Sequence, residues 1–367
     1  MDADREKTVK KIWRRNPGLT LWTLCLAAFF AAFALLRTNR QAMRILGNLV
    51  LPWEQWWGGL CERICFSVGE LLIITALTAA FFLLTWWVRK LVANRFSIST
   101  ICRGLWIAGC LCLSIWAGFC LLWSPFYQGE SFQEKSGIIA HGGTPEQLQR
   151  LTERFAGELS ACAGDVPRDE NGCFAGSRQE ILSAAADSYA ALYEEFPFLY
   201  LEPRAPKAFT ASRALSALNF TGFYFPFTGE ANVNIDSPAA FLPATICHEM
   251  AHQRGIASEQ ECNFLGILAA IRSANATYRY SGYLEGYLYL SNALYRTDQT
   301  TWKTIRESLP DGVIADLQAN NRYWAQFEGP VKQTAQTVYD GFLKASGDKN
   351  GIRSYGMVVD LLLCYYE

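Results

Sequence analysis

Three long apolar stretches in the first third of the chain constrain the fold before any other feature does. They run from about residue 19 to 36, from about 64 to 88 and from about 105 to 123. Each is long enough to cross a bilayer as a helix. Within hydrocarbon a single segment satisfies its own backbone groups by forming one. The first stretch follows a basic segment with Arg5, Lys7, Lys10, Lys11, Arg14 and Arg15. It ends in Leu35-Leu36-Arg37, a poor cleavage site, which favours an uncleaved anchor over a signal peptide. Between the first two stretches, Trp53, Trp56 and Trp57 suggest a segment lying at the interface. Glu70, close to the outer end of the second span, is expected to snorkel to the interface. Arg89, Lys90, Arg95 and Arg103 form a second basic loop. By the positive-inside rule, the N-terminus and this loop are cytoplasmic and everything after Ser124 is outside.

The expected organisation is therefore a membrane region over residues 1–124 and one extracytoplasmic domain over 125–367. A net charge of −1 gives no electrostatic case for nucleic acid as a partner. Of the 12 cysteines, most lie in or beside apolar segments, where they behave as small apolar residues. Cys162 and Cys173 could form a disulfide outside the cell or remain free, and the sequence leaves both open.

In the second region, His248-Glu249-Met250-Ala251-His252 places two of the chain's three histidines four residues apart around a glutamate. On a helix they share one face and can offer two imidazole nitrogens to one ion, with Glu249 in reach of a metal-bound water. This is the HExxH arrangement of zinc hydrolases. Zinc needs a third protein ligand, and Glu259 stands seven residues beyond His252. In an unbroken helix that is about 10.5 Å of rise, too far for a shared ion. The helix must stop and fold back, and Gly255 can adopt the left-handed conformation that ends it. Ser258-Glu259-Gln260-Glu261 then reads as a capping box, with Ser258 as N-cap and Glu261 reaching back to it. That leaves Glu259 free as the third ligand. Asn263, four beyond it on the same face, is placed to support a ligand.

The run from His248 to Phe264 resembles the signature HExAHQxGxAxExEANF of a bacterial membrane-protein family named for domain of unknown function 3810. Phe220 to Asn234, Tyr280-Ser281-Gly282-Tyr283 and Ser354-Tyr355-Gly356 resemble the same family. The Glu259-to-Asn263 spacing is also similar to the ExxxD element of membrane zinc peptidases of the prenyl-protein-protease type. In that element the first acid is the third ligand, here Glu259. This chain has Asn263 at the aspartate position and Cys262 where alanine is expected. The resemblance implies a gluzincin-type (HExxH…E), zincin-like metallopeptidase domain, mainly α with a small β-sheet, binding Zn2+ and acting on a peptide or protein. In that reading Glu249 is the general base. Tyr280, Tyr283 and Arg279 are candidate oxyanion donors. His141 is the only histidine outside the motif and could support the oxyanion or the metal.

Phe220–Phe227 and Ala231–Ile235 show strand character through a Thr228-Gly229 turn, either as a substrate-binding edge or as an ordinary hairpin. Helices are expected from Thr144, from Ser177 to just before Pro197, and over 258–274, 278–295, 311–327, 331–344 and 355–366. Two other functional classes stay open. A zinc-stabilised, non-enzymatic sensor would have no need of Glu249. An intramembrane protease would carry its motif in an apolar span, whereas Gln253, Arg254, Glu259 and Glu261 point to water or the membrane surface.

Overall fold

The computed structural model describes residues 16–348 and 357–367. The basic segment from Arg5 to Arg15 and the Ser354-Tyr355-Gly356 run lie outside the described residues. Among the described residues, three helices are long and apolar enough to cross a membrane: α1 (Pro17–Leu36), α3 (Val68–Ala93) and α4 (Ile98–Leu122). At 1.5 Å per residue they span about 30 to 39 Å, matching a hydrocarbon core. The second span starts four residues later than expected because Ser67 accepts a hydrogen bond from the Glu70 amide and caps α3. The third starts at Ile98, seven residues early, carrying Arg103 inside the helix.

The segment between the first two spans is a single helix, α2 (Arg40–Glu62), with Pro52 inside it. Its buried face comprises Met43, Gly47, Val50, Glu54, Gly58 and Cys61, a helical spacing. Trp53 and Trp56 point outward. This face packs on the C-terminal region: the Trp57 indole donates to the Phe227 carbonyl at 3.2 Å, and the Gln55 amide to the Gln253 carbonyl at 3.5 Å.

Glu70 does not snorkel. It is 6 % exposed, and its carboxylate accepts the amides of Thr210 (2.9 Å) and Ala211 (3.0 Å). In return, Glu230 accepts the Val68 and Gly69 amides at the first turn of α3 (3.1 and 2.7 Å). Glu230 satisfies two amides that the start of α3 would leave open, and Glu70 does the same for the turn at Thr210 and Ala211 that leads into a short helix over Ser212–Ala217. The span and the C-terminal region are thus tied by reciprocal caps.

The C-terminal region is mostly helical around one core. Its helices include α5 (Phe132–Ser136), α6 (Pro145–Cys162), α7 (Leu242–His252), α8 (Glu259–Arg272), α9 (Ala276–Thr297), α10 (Gln299–Glu307), α11 (Asp311–Ala325), α12 (Pro330–Ser346) and α13 (Val358–Tyr366). Every residue of α8 from Glu259 to Ile271 is buried, as suits a helix surrounded by its neighbours. The sheet has three strands in the order β1 (Lys207–Ala208), β3 (Glu230–Val233), β2 (Gly222–Phe225). β1 runs parallel to β3 and β2 antiparallel to it, so β2 forms an edge. Residues from Ser177 onward do not form the single helix expected there: a turn of α-helix over Arg178–Ser183 gives way to short 3-10 pieces. Cys162 and Cys173 are free thiols.

Candidate metal centre

The cluster is assembled by a reversal between α7 and α8. α7 ends at His252, and Gly255 adopts φ +76°, a conformation costly for other residues. The chain returns through Ile256, whose amide reaches back to the Ala251 carbonyl at 3.4 Å. α8 then begins at Glu259 beside the imidazoles. Glu259 Oε2 lies 3.1 Å from His248 Nε2 and 3.7 Å from His252 Nε2. One ligand atom from each of the three residues falls within 4.8 Å of the others. Tetrahedral zinc with bonds of about 2.0–2.2 Å holds its ligands about 3.4 Å apart, so the spacing fits.

The partners of the other ring nitrogens fix which face each imidazole presents. His252 Nδ1 donates to the Ile256 carbonyl at 2.7 Å. His248 Nδ1 donates to Asn263 Oδ1 at 2.8 Å. In the neutral rings the Nε2 lone pairs therefore face Glu259 Oε2, which is buried without a hydrogen-bond donor among the described residues. Three acceptors converging on one point repel unless a cation, or protons, stand between them. With protons on the imidazoles, the charge and hydrogen bonds they bring outweigh burial and hold the Glu259 carboxyl well below the usual carboxylate range. Although burial disfavours its charge, His252 is held well above its ordinary value by Cys262 and Glu259. The Tyr339 hydroxyl donates to the second Glu259 oxygen at 2.9 Å.

Glu249 sits on the strand side of α7. A Cβ at Gly222 would lie 2.6 Å from Glu249 Oε1 and 2.8 Å from the Asn232 carbonyl, so only glycine lets β2 approach this carboxylate so closely. Glu249 is 3 % exposed, and its Oε2 has no hydrogen-bond partner among the described residues. Burial pushes its carboxyl up to about 7, with His248 and His252 opposing. A carboxyl titrating near neutrality suits proton transfer.

Several residues singled out in the sequence stand elsewhere. Tyr280 donates to Asp316 and accepts from Arg168 (3.1 Å) in the core. Tyr283 packs edge-on to Phe155. Both lie on the side of α9 turned away from the cluster. Glu285 faces the cleft, and at 3.6 residues per turn Tyr280 and Tyr283 sit about 140° and 160° round the helix from it. The family-like run does meet α7, but through Ser281, whose hydroxyl accepts the Ala244 amide at 3.1 Å. Arg279 donates to the carbonyls of Ser273 and Ala274 at the end of α8. His141 is on an exposed loop beside Cys364. Ser258 holds the N-cap position of α8, but its side chain makes no capping hydrogen bond, and Glu261 does not reach back to it. The Glu261 carboxylate accepts the Phe132 and Gln133 amides (3.0 and 3.1 Å), capping α5 instead. Gln253 and Arg254 face protein rather than water: the Arg254 guanidinium lies 3.8 Å over the Tyr189 ring, and Gln253 donates to the Gly229 carbonyl.

Sequence reasoning missed the residues that complete the cleft. Glu285 and Tyr289 from α9 and Tyr339 from α12 line a cavity of about 400 Å³ with His248, Glu249 and Asn263. A glutamate and a tyrosine four apart on one face of α9 were the available signal; Tyr339 had none. Trp123, the residue after α4, packs edge-on to His252 with ring centroids 5.6 Å apart.

These features define a mainly helical protein with three candidate membrane spans and a largely buried His-His-Glu cluster beside the Glu249 carboxylate. The chain belongs to the family described as Protein of unknown function (DUF3810), which it matches over residues 53–363. That match runs from within α2 through two of the spans to α13. No curated protein and no solved structure matches the chain significantly.

Proposed function

We propose that the protein is a membrane-anchored, zinc-dependent peptidase of the gluzincin type, with its active site outside the cell. The observation that carries this reading is the convergence of the His248 and His252 Nε2 atoms and Glu259 Oε2, with each Nδ1 already engaged. These three residues would hold the ion. The chemistry zinc supplies in such a setting is Lewis acidity, which acidifies water and polarises a carbonyl.

The remaining work falls to this chain's own groups. Glu249 takes a proton from the attacking water and returns one to the leaving amine. Asn263 and the Ile256 carbonyl hold the imidazoles in the ligating tautomer. Tyr339 orients Glu259 by donating its single hydroxyl proton to that carboxylate. β2 is a sheet edge lining the same cleft, which suits a peptide bound in extended form by strand addition.

The test uses the full chain purified in lipid nanodiscs. Metal analysis is expected to find one zinc per wild-type chain, much less in Glu259→Ala, and full occupancy in Glu249→Gln. A degenerate fluorogenic peptide mixture should be cleaved by the wild type and at least about a thousandfold more slowly by Glu249→Gln. A wild-type chain that takes up no zinc would overturn the reading. Equal behaviour of Glu249→Gln and the wild type, both zinc-loaded, would instead identify a non-enzymatic zinc domain.

A further inference from the structure

The cleft is not closed off from the membrane region. Beyond Glu259 and His252 its wall is made by Trp123 and by Phe119 of α4, opposite Phe342 of α12. Phe119 and Trp116 stand about 5 and 9 Å below the end of that span at 1.5 Å per residue. Phe342 packs edge-on against both, with centroids 4.8 and 6.1 Å away. From this junction an open, almost wholly apolar groove of about 750 Å³ runs along α12, lined by Leu218, Phe220, Val331, Val338 and Phe342. Val331 and Val338 are 60 % and 67 % exposed, and Leu218, Phe220 and Tyr339 line both groove and cleft. An exposed apolar surface of this kind, continuous with a membrane-spanning helix, marks contact with lipid or with something that lives in lipid.

Resting on the peptidase reading above, we infer that the substrate is a membrane-anchored polypeptide, entering from the bilayer with the end of its own apolar transmembrane segment in the α12 groove. The bond to be cut is then in the first residues outside that segment, lying along the edge of β2. Polypeptide is the occupant that both places accept: the free edge of β2 offers pairing to an extended strand, and Leu218 and Phe220 line both that cleft and the groove, so one chain would pass from one into the other. An acyl chain would need a modified residue at that point. The depth also fits: the groove meets α4 within its last two turns, at the level where aromatic residues mark the interface.

The experiment joins a cleavable sequence found with the soluble mixture to three carriers in the same vesicles: a transmembrane segment, a palmitoyl chain, or none. A fluorescent amino acid encoded at position 338 reports in parallel whether brominated lipid or aqueous iodide quenches it. Lipid quenching, and cleavage of the transmembrane form at least about tenfold more efficient per molecule than the soluble one, are expected. That ratio should collapse toward unity in Val338→Asp and Val331→Asp and be kept in Val338→Leu. Quenching by iodide alone, or equal cleavage of soluble and anchored peptide, would overturn the inference while leaving the peptidase standing. Preference for the palmitoylated form alone would overturn the choice of occupant. If the soluble mixture yields no cleavable sequence and the same mixture joined to a transmembrane segment is not cut by the zinc-loaded wild type either, the peptidase reading and the substrate assignment fall together.

Discussion

At the scale of single residues, the cluster depends on what sits behind the ligands as much as on the ligands. Asn263 holds the His248 ring by one hydrogen bond at 2.8 Å. Removing such a partner frees the ring and its tautomer. Asn263→Ala is therefore expected to lower zinc affinity about 10- to 100-fold, measured by competition with a chelator, and Asn263→Asp to restore it. Glu54 makes a separate prediction. It is 1 % exposed, receives one hydrogen bond from Tyr224, and burial, against that bond, pushes its carboxyl up to about 9. A folded-state value above the unfolded one means the folded chain holds a proton that the unfolded chain has released. The stability this contributes is present at low pH and is lost as pH rises toward 9, by up to about 1.4 kcal/mol per pH unit. Glu249 and Glu285, both raised by burial to about 7, act in the same direction below neutrality, and His252, raised well above its ordinary value, does so above it. The share of Glu54 is therefore read as the difference between variant and wild type over pH 7 to 9. Glu54→Gln, which can still accept from Tyr224, should raise the unfolding temperature at pH 9 and flatten its decline over that window.

At the scale of elements, local chemistry was legible and partnership was not. Apolar runs gave the spans, and Gly255 with the Ser258 cap position gave the reversal between α7 and α8, because turns and caps depend on a few adjacent residues. Glu261 shows where this stops. Its spacing from Ser258 matches a capping box, yet its carboxylate caps α5, 129 positions back in the chain, at the Phe132 amide. The local pattern was satisfied in sequence and then claimed by a non-local donor pair. Tyr339 was invisible for the same reason, since only the packing of α12 over the cleft brings it to Glu259. The Glu261 cap is testable on its own: Glu261→Ala strands the Phe132 and Gln133 amides at the edge of the core. A loss of about 1–3 kcal/mol is expected, read from denaturant unfolding in detergent. Glu261→Gln should recover part of it, since one oxygen can still accept.

At the scale of the whole molecule, the contacts of α2 constrain topology more tightly than the charge pattern does. α2 leads from the first candidate span to the second, and its buried face lies on the C-terminal region. The start of α3 is tied to that region by Glu70 and Glu230, and the end of α4 by the Trp123 contact with His252. If α1, α3 and α4 each cross the bilayer once, residues 37–67 and everything after 123 share one side, and the loop around Arg95 lies on the other. A snorkelling Glu70 would leave this arrangement unpinned, whereas the observed reciprocal caps would break if the two regions were separated. Protease sites inserted at Thr38, Arg95 and Gly142 test it in sealed vesicles of one orientation. The first and third should be cut together by protease on one face, and the second only by protease on the opposite face. Cutting at Thr38 and Gly142 from opposite faces would mean that one of the three helices does not cross. The α2 contacts could not then hold in the membrane, and the route from bilayer to cleft would lose its wall.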